Sequence, residues 1–154
     1  MAKIERKYLA HYIAATNGNY ERLGDDLEEF SPEMNARVET KQNILGQTTV
    51  IISGYEKTAQ VEAYFAQAGT ALFEKLQAII DGDLALDDLL VTVAEVKLWD
   101  GDGQVFPAVQ EQAYVEVVSY GGNCDGYQIP FKLHYTGAKT KGSFNVASRT
   151  FTAE

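Results

Sequence analysis

The chain is poor in cysteine: Cys124 stands alone, so no internal disulfide can form and a disulfide scaffold is excluded. A reducing compartment fits that usage. Histidine is almost as scarce, with only His11 and His134. Zinc takes three or four ligands, commonly His or Cys, and these three residues at wide spacing fall short of a site. There are three prolines and one tryptophan. No apolar run approaches the ~18 residues of a membrane helix. The start, Met1 to Lys7, is charged with no apolar stretch behind it, unlike a signal peptide. Positive charge is in deficit: 13 Lys and Arg stand against 22 Asp and Glu, for a formal charge of −9 and a pI near 4.7. A protein that grips nucleic acid needs a basic face to neutralise phosphates, so tight DNA or RNA binding is not expected of this acidic chain.

What is present describes a folded β protein. The 154 residues suffice for one hydrophobic core, and 45% hydrophobic with 23% charged residues is ordinary for a folded chain. No repeat, low-complexity tract or linker interrupts it, so a single domain over 1–154 is expected. Thirteen glycines beside nine tyrosines and seven phenylalanines favour turns and pleated aromatic faces.

Patterning fills in the elements. Tyr8 to Ala15 alternates as a strand, with Tyr8, Ala10, Tyr12 and Ala14 on one face and Leu9, His11 and Ile13 on the other; a short helix is the other reading. Asn17-Gly18-Asn19 marks a turn, and the acidic stretch Tyr20 to Ser31 reads as a loop broken at Gly24-Asp25-Asp26 and Ser31-Pro32. Met34, Ala36, Val38 and Thr40 alternate with polar residues, the sign of a strand with one wet face. Gln42 to Gly46 connects it to a β-branched partner, Gln47 to Ser53. Gly54 to Gly69 fits neither period and reads as an irregular segment. Leu72, Phe73, Leu76, Ile79 and Ile80 form one helical face, which predicts a helix from Ala71 to Asp81 with Thr70 as N-cap and Gly82 as the left-handed C-terminal residue. Val91 to Trp99 reads as a strand whose apolar phase shifts near Ala94-Glu95, which suggests a bulge. A hairpin turn at Asp100 to Gly103 leads to a strand within Val105 to Ser119, strongest from Ala113. After a turn at Gly121 to Gly126, Tyr127 to Tyr135 alternates cleanly, with Pro130 at an edge or non-bonding position. Gly137 ends that strand, and a last one begins at Gly142 and runs towards Phe151. The expected fold is mainly β, a sandwich or small barrel of about seven strands with one flanking helix.

No constellation reads as catalytic. Asp100 and Asp102 resemble the start of a calcium loop, but the later ligands do not follow, and a hairpin turn explains them. The pairs Asp25-Asp26 and Asp87-Asp88 are solvated turn residues. Cys124 and His134 are a conceivable nucleophile pair, although Cys124 lies in a glycine-rich turn. The glycine pairs match no phosphate-binding loop. No catalytic residue, metal or cofactor is expected.

Three stretches, in order and spacing, resemble the tail tube (major tail) proteins of tailed bacteriophages. VETKQNILGQTTVIISGY from Val38 resembles that family's second strand, turn and third strand. TALFEKLQAIID from Thr70 resembles its helix, and the run from Tyr114 to Thr152 its closing strands. Together they cover a little under half of the chain, 69 of its 154 residues. The resemblance implies a β-sandwich flanked by a helix and a structural role without catalysis. It further implies self-assembly into hexameric rings stacked into a tube that conducts the genome. Related injection devices are built in the same way. With about four strands per subunit at ~4.8 Å spacing and ~40° tilt, the backbone barrel would be roughly 48 Å across, with a lumen on the order of 35–40 Å. Acidic subunits would keep passing DNA from sticking. Implied partners are further copies of the chain and tail terminator, tape measure and distal tail proteins; the implied location is the virion tail, assembled in the host cytoplasm, without a membrane.

Under that resemblance Gly54 to Gly69 is expected to stack on the neighbouring ring, with Tyr55, Val61, Tyr64 and Phe65 as its apolar contacts. The other reading is a surface loop tucked on its own domain. Ile44 and Leu45 are a second stacking candidate, alternatively a buried turn. A different class of function, a monomeric carbohydrate- or ligand-binding β-sandwich, would show an exposed aromatic platform.

Overall fold

The computed structural model describes residues 2–16, 18–24, 27–62, 64–101 and 103–154. The acid pair Asp25-Asp26, the turn residue Asn17 and the second calcium candidate, Asp102, lie outside the described residues. Among the described residues eleven strands form: β1 Leu9–Ala14, β2 Tyr20–Leu23, β3 Ala36–Gln42, β4 Thr48–Tyr55, β5 Thr58–Val61, β6 Leu90–Lys97, β7 Val105–Val117, β8 Gly121–Asn123, β9 Gly126–Gln128, β10 Phe131–Asn145 and β11 Thr150–Ala153. An α-helix, α1, covers Ala71–Gly82. The fold is mainly β, as expected, with more strands than the pattern suggested. A curled half-barrel sheet of seven strands runs β11-β10-β7-β6-β1-β2, with β5 also paired to β10. The pairs β3-β4 and β8-β9 stand apart as two-stranded sheets.

The curl comes from the two longest strands. β7 and β10 pair from Phe131↔Val117 to Asn145↔Val105, with the register broken between Tyr135 and Lys139. Such a break bends a strand and increases its twist. Gly137 sits inside it at φ 87°, a conformation other residues adopt at a cost. Gly137 therefore bends the strand rather than ending it, and Gly142 is internal to β10 rather than the start of another strand.

The bend gives the sheet two cores, one on each face. On the first, Ile13, Val91, Val93, Ala113, Val115, Phe131 and Leu133 pack against Leu72, Leu76 and Ile79 of α1. On the second, Ala10, Tyr12, Ala14, Ala94, Val96 and Ala108 close around Phe144. This explains the phase shift in β6. Its pairing with β1 and β7 keeps one register throughout, so the expected bulge at Ala94-Glu95 is absent. Val91 and Val93 face the first core, while Ala94 and Val96 face the second.

Local chemistry sets the helix ends. Thr70 Oγ1 accepts the Phe73 N–H at 3.3 Å, the expected N-cap. The carboxylate of Glu21 on β2 adds a long-range cap, accepting from Ala71 and Leu72 at 3.2 and 3.0 Å. At the other end Gly82 remains helical and Asp83 takes the left-handed conformation at φ 47°, with the Leu84 N–H returning to Ile79 O.

Three further expectations are corrected. Tyr20 to Ser31 is not wholly loop, because Tyr20–Leu23 pairs with β1 and buries Tyr20 and Leu23. Gly54 to Gly69 is not one irregular segment: Gly54 and Tyr55 end β4, Thr58–Val61 forms β5 on β10, and Phe65 bridges Gln128. The strand expected over Tyr127 to Tyr135 is divided at Ile129-Pro130, where Pro130 O accepts the Val118 N–H at 3.0 Å.

Candidate assembly surface

The most distinctive surface is the β3-β4 hairpin. Every residue of β3 is exposed, and all of β4 but Gly54. The sequence suggested one wet face; both are wet, because neither strand joins the main sheet. Cross-strand pairs Val38↔Ile52 and Thr40↔Val50 alternate with Glu39↔Ile51 and Lys41↔Thr49. The alternation leaves Ala36, Val38, Thr40, Val50 and Ile52 on one face without a charge. Arg37, Glu39 and Lys41 lie on the other, where Lys41 pairs with Glu39 at 3.6 Å and Arg37 with Glu56 at 3.6 Å.

The tip is held in one shape. Asn43 Oδ1 accepts the N–H groups of Leu45 and Gln47, both at 3.0 Å, and Asn43 Nδ2 donates to Gln47 Oε1 at 2.8 Å. Gly46 supplies the positive φ that closes the turn, 80°. Ile44 and Leu45 therefore project from an ordered tip, 102% and 77% exposed. The buried-turn reading of these two residues is overturned.

The other stacking candidates separate into two groups. Tyr55, at the base of the hairpin, is exposed. Val61 is fully buried in β5, Tyr64 is half-buried edge-on against Phe131 at 5.9 Å, and Phe65 is half-buried at its bridge to Gln128. These three are engaged within their own chain.

The structure also reveals a polar cluster that the sequence reading missed. Lys57 Nζ lies 3.4 Å from Glu95 and 3.6 Å from Glu111, and 4.6 Å above the ring centre of Tyr135. His11 Nδ1 is 3.9 Å from the same Glu95 oxygen, while its Nε2 meets Arg6 Nη2 at 3.0 Å. Burial pushes His11 down to about 4; Glu95 opposes this, and Arg6, Lys57 and Arg22 reinforce it. Burial also raises Tyr135, helped by Glu95 and Glu111. The available signal was a charged residue at a position whose strand neighbours are apolar: Glu95 between Ala94 and Val96.

His134 is bonded to Glu116 on the neighbouring strand at 2.9 Å, and Cys124 is exposed in the turn between β8 and β9. Among the described residues no group of three His, Cys, Asp or Glu could hold a metal. A groove of about 790 Å³ is lined by Arg6, His11, Arg22, Phe30, Tyr64 and Leu72 among others, with cations and carboxylates mixed along it.

The sequence matches no protein-family model, and no curated protein matches it either. Among solved structures the fold is similar to that of the SPP1 tail tube, determined by solid-state NMR and cryo EM. That likeness has a TM-score of 0.65 at 13% identity and covers 99% of this chain and 81% of the other. What the chain shares with it is a tail-tube-like fold.

Proposed function

We propose that this protein is the repeating structural subunit of a tail tube, in a bacteriophage virion or a related injection device. The observation that carries the reading is the β3-β4 hairpin. An isolated two-stranded hairpin is marginal in water, and three or more strands or a packing partner are needed to hold one. Here Val38, Val50 and Ile52 line a charge-free face 54–62% exposed, with Ile44 and Leu45 at the tip. Covering each such aliphatic side chain is worth roughly 1.5–3 kcal/mol. The cover is a neighbouring copy of the chain, a choice supported by the fold's likeness to a protein that builds a tube. Burying the hairpin also protects its unpaired strand edges, which otherwise invite uncontrolled pairing.

In this reading six copies close into a ring, the rings stack, and the lumen conducts DNA without binding it, consistent with a charge of −9 per subunit. Ile44, Leu45 and Tyr55 make the contacts between rings. Terminator, tape measure and distal tail proteins meet the tube's ends, and the subunits assemble in the host cytoplasm. The role is structural, with no catalytic step.

Negative-stain electron microscopy across a concentration series tests this. Hollow tubes or rings with six-fold end views are expected. A protein that stays monomeric throughout, including when seeded with preformed ends, overturns the reading.

A further inference from the structure

Lys57 occupies the junction between two structural units. The hairpin ends at Tyr55, and β5, which belongs to the main sheet, begins at Thr58. Its side chain does not go to solvent; it is 14% exposed. The ammonium enters the sheet among Glu95 of β6, Glu111 of β7 and Tyr135 of β10. One side chain thus spans three strands. Its backbone is tied to the same place, since Lys57 O accepts the Tyr135 N–H at 3.0 Å. The far oxygen of Glu111 accepts the Gly137 N–H at 3.0 Å, inside the register break that bends the sheet. Anchor and bend are therefore one connected network.

The other strand leaves the body through a second tie. Asn35, at φ 50°, donates from Nδ2 to Thr58 Oγ1 at 2.9 Å and to Glu56 O at 3.1 Å. That clip joins the two ends of the hairpin to each other; Lys57 joins them to the sheet.

A buried ion cluster is a poor way to gain stability, because desolvation offsets much of the attraction and apolar replacements of similar volume often do as well. What such a cluster supplies is direction. The ammonium reaches both carboxylates and the ring from one position, whereas an apolar side chain could settle in several.

We propose that Lys57 is a positioning residue that locks the orientation of the β3-β4 hairpin on the body, so that its charge-free face is presented in one direction. The value of a fixed orientation rests on the reading of the hairpin as an assembly arm. The lock itself does not.

Pulsed electron–electron distance measurement tests it. One nitroxide is placed at Cys124, the chain's single cysteine, and the other at Thr49→Cys on the charged face of the hairpin. The labelled chain is diluted with unlabelled protein so that only distances within one subunit are read. The unsubstituted cluster should give one narrow distance distribution. Lys57→Met should broaden it at least twofold with the circular dichroism spectrum unchanged. Because Lys57→Met strands two carboxylates, the triple variant Lys57→Met, Glu95→Gln, Glu111→Gln is measured beside it; it removes the three charges together and should broaden equally. A narrow, unshifted distribution in the folded triple variant overturns the lock. Tube yield is scored separately: broadened variants should need at least tenfold more protein to assemble, and full assembly with a broadened distribution overturns the claim that orientation serves assembly.

Discussion

Val38 and Ile52 face each other across the β3-β4 hairpin, and each remains more than half exposed, at 59% and 54%. Across a sheet, a pair of this kind ordinarily contributes by packing against its neighbours on a covered face. Here the pair stands on an exposed face that none of the described residues covers, beside Val50 and below the tip residues Ile44 and Leu45.

Replacing both by threonine keeps the β-branched shape that suits a strand while adding a hydroxyl to the face. Val38→Thr with Ile52→Thr should leave the thermal midpoint of the subunit almost unchanged and raise the concentration needed for tube formation at least tenfold, a loss of about 1.4 kcal/mol per contact. Sedimentation velocity reads both states. Assembly at the original concentration would remove the hairpin face from the interface.

His11 predicts a pH dependence with a definite sign. Its folded value of about 4 lies below the ordinary 6.5, so the unfolded chain takes the proton first as pH falls. The stability carried by the neutral ring is complete above pH 6.5 and is lost as pH drops through that window towards 4. The loss is on the order of 3 kcal/mol. Urea unfolding of the wild type and of His11→Asn over this range should diverge by that amount, since carboxylate contributions are common to both. Parallel curves would show that the ring titrates normally.

The start of α1 depends on a side chain from another element. Glu21→Ala removes a charged acceptor from the Ala71 and Leu72 N–H groups and should cost roughly 1.5–3 kcal/mol. Thr70→Ala removes the local cap and should cost about 1 kcal/mol. Chemical denaturation gives the order. A larger loss from Thr70→Ala would make the long-range cap incidental.

Phe144 anchors the second core. It is fully buried, 4.5 Å from the Tyr12 ring and 5.4 Å from that of Tyr20. Phe144→Ala should destabilise the chain by about 3–5 kcal/mol. A loss below about 1 kcal/mol in equilibrium unfolding would mean that the curl of the sheet does not depend on this face.

The sequence by itself determined the local matters. Apolar spacing from Leu72 to Ile80 and a threonine ahead of it were enough for α1, because a helix has one buried stripe and a fixed period. Period-2 alternation before Asn43-Ile44-Leu45-Gly46 and a β-branched run after it were enough for the hairpin, because a two-stranded turn is closed by its own residues. Three short stretches also carried the resemblance to tail tube proteins, and the fold agrees with it. The tertiary structure alone decided which faces are covered. Val91 and Val93 turn to one core, and Ala94 and Val96 to another, so an unbroken strand looked bulged until the second core was seen. Tyr127 to Asn145 could not be divided correctly from alternation, since Pro130 interrupts the pairing while Gly137 only bends it. The stacking residues divided for the same reason: Val61 and Ile44 are both aliphatic, but one has the main sheet beside it and the other only solvent. Periodicity reports that a side chain is apolar; whether that side chain meets its own chain or waits for another is fixed by long-range pairing, which local pattern does not encode.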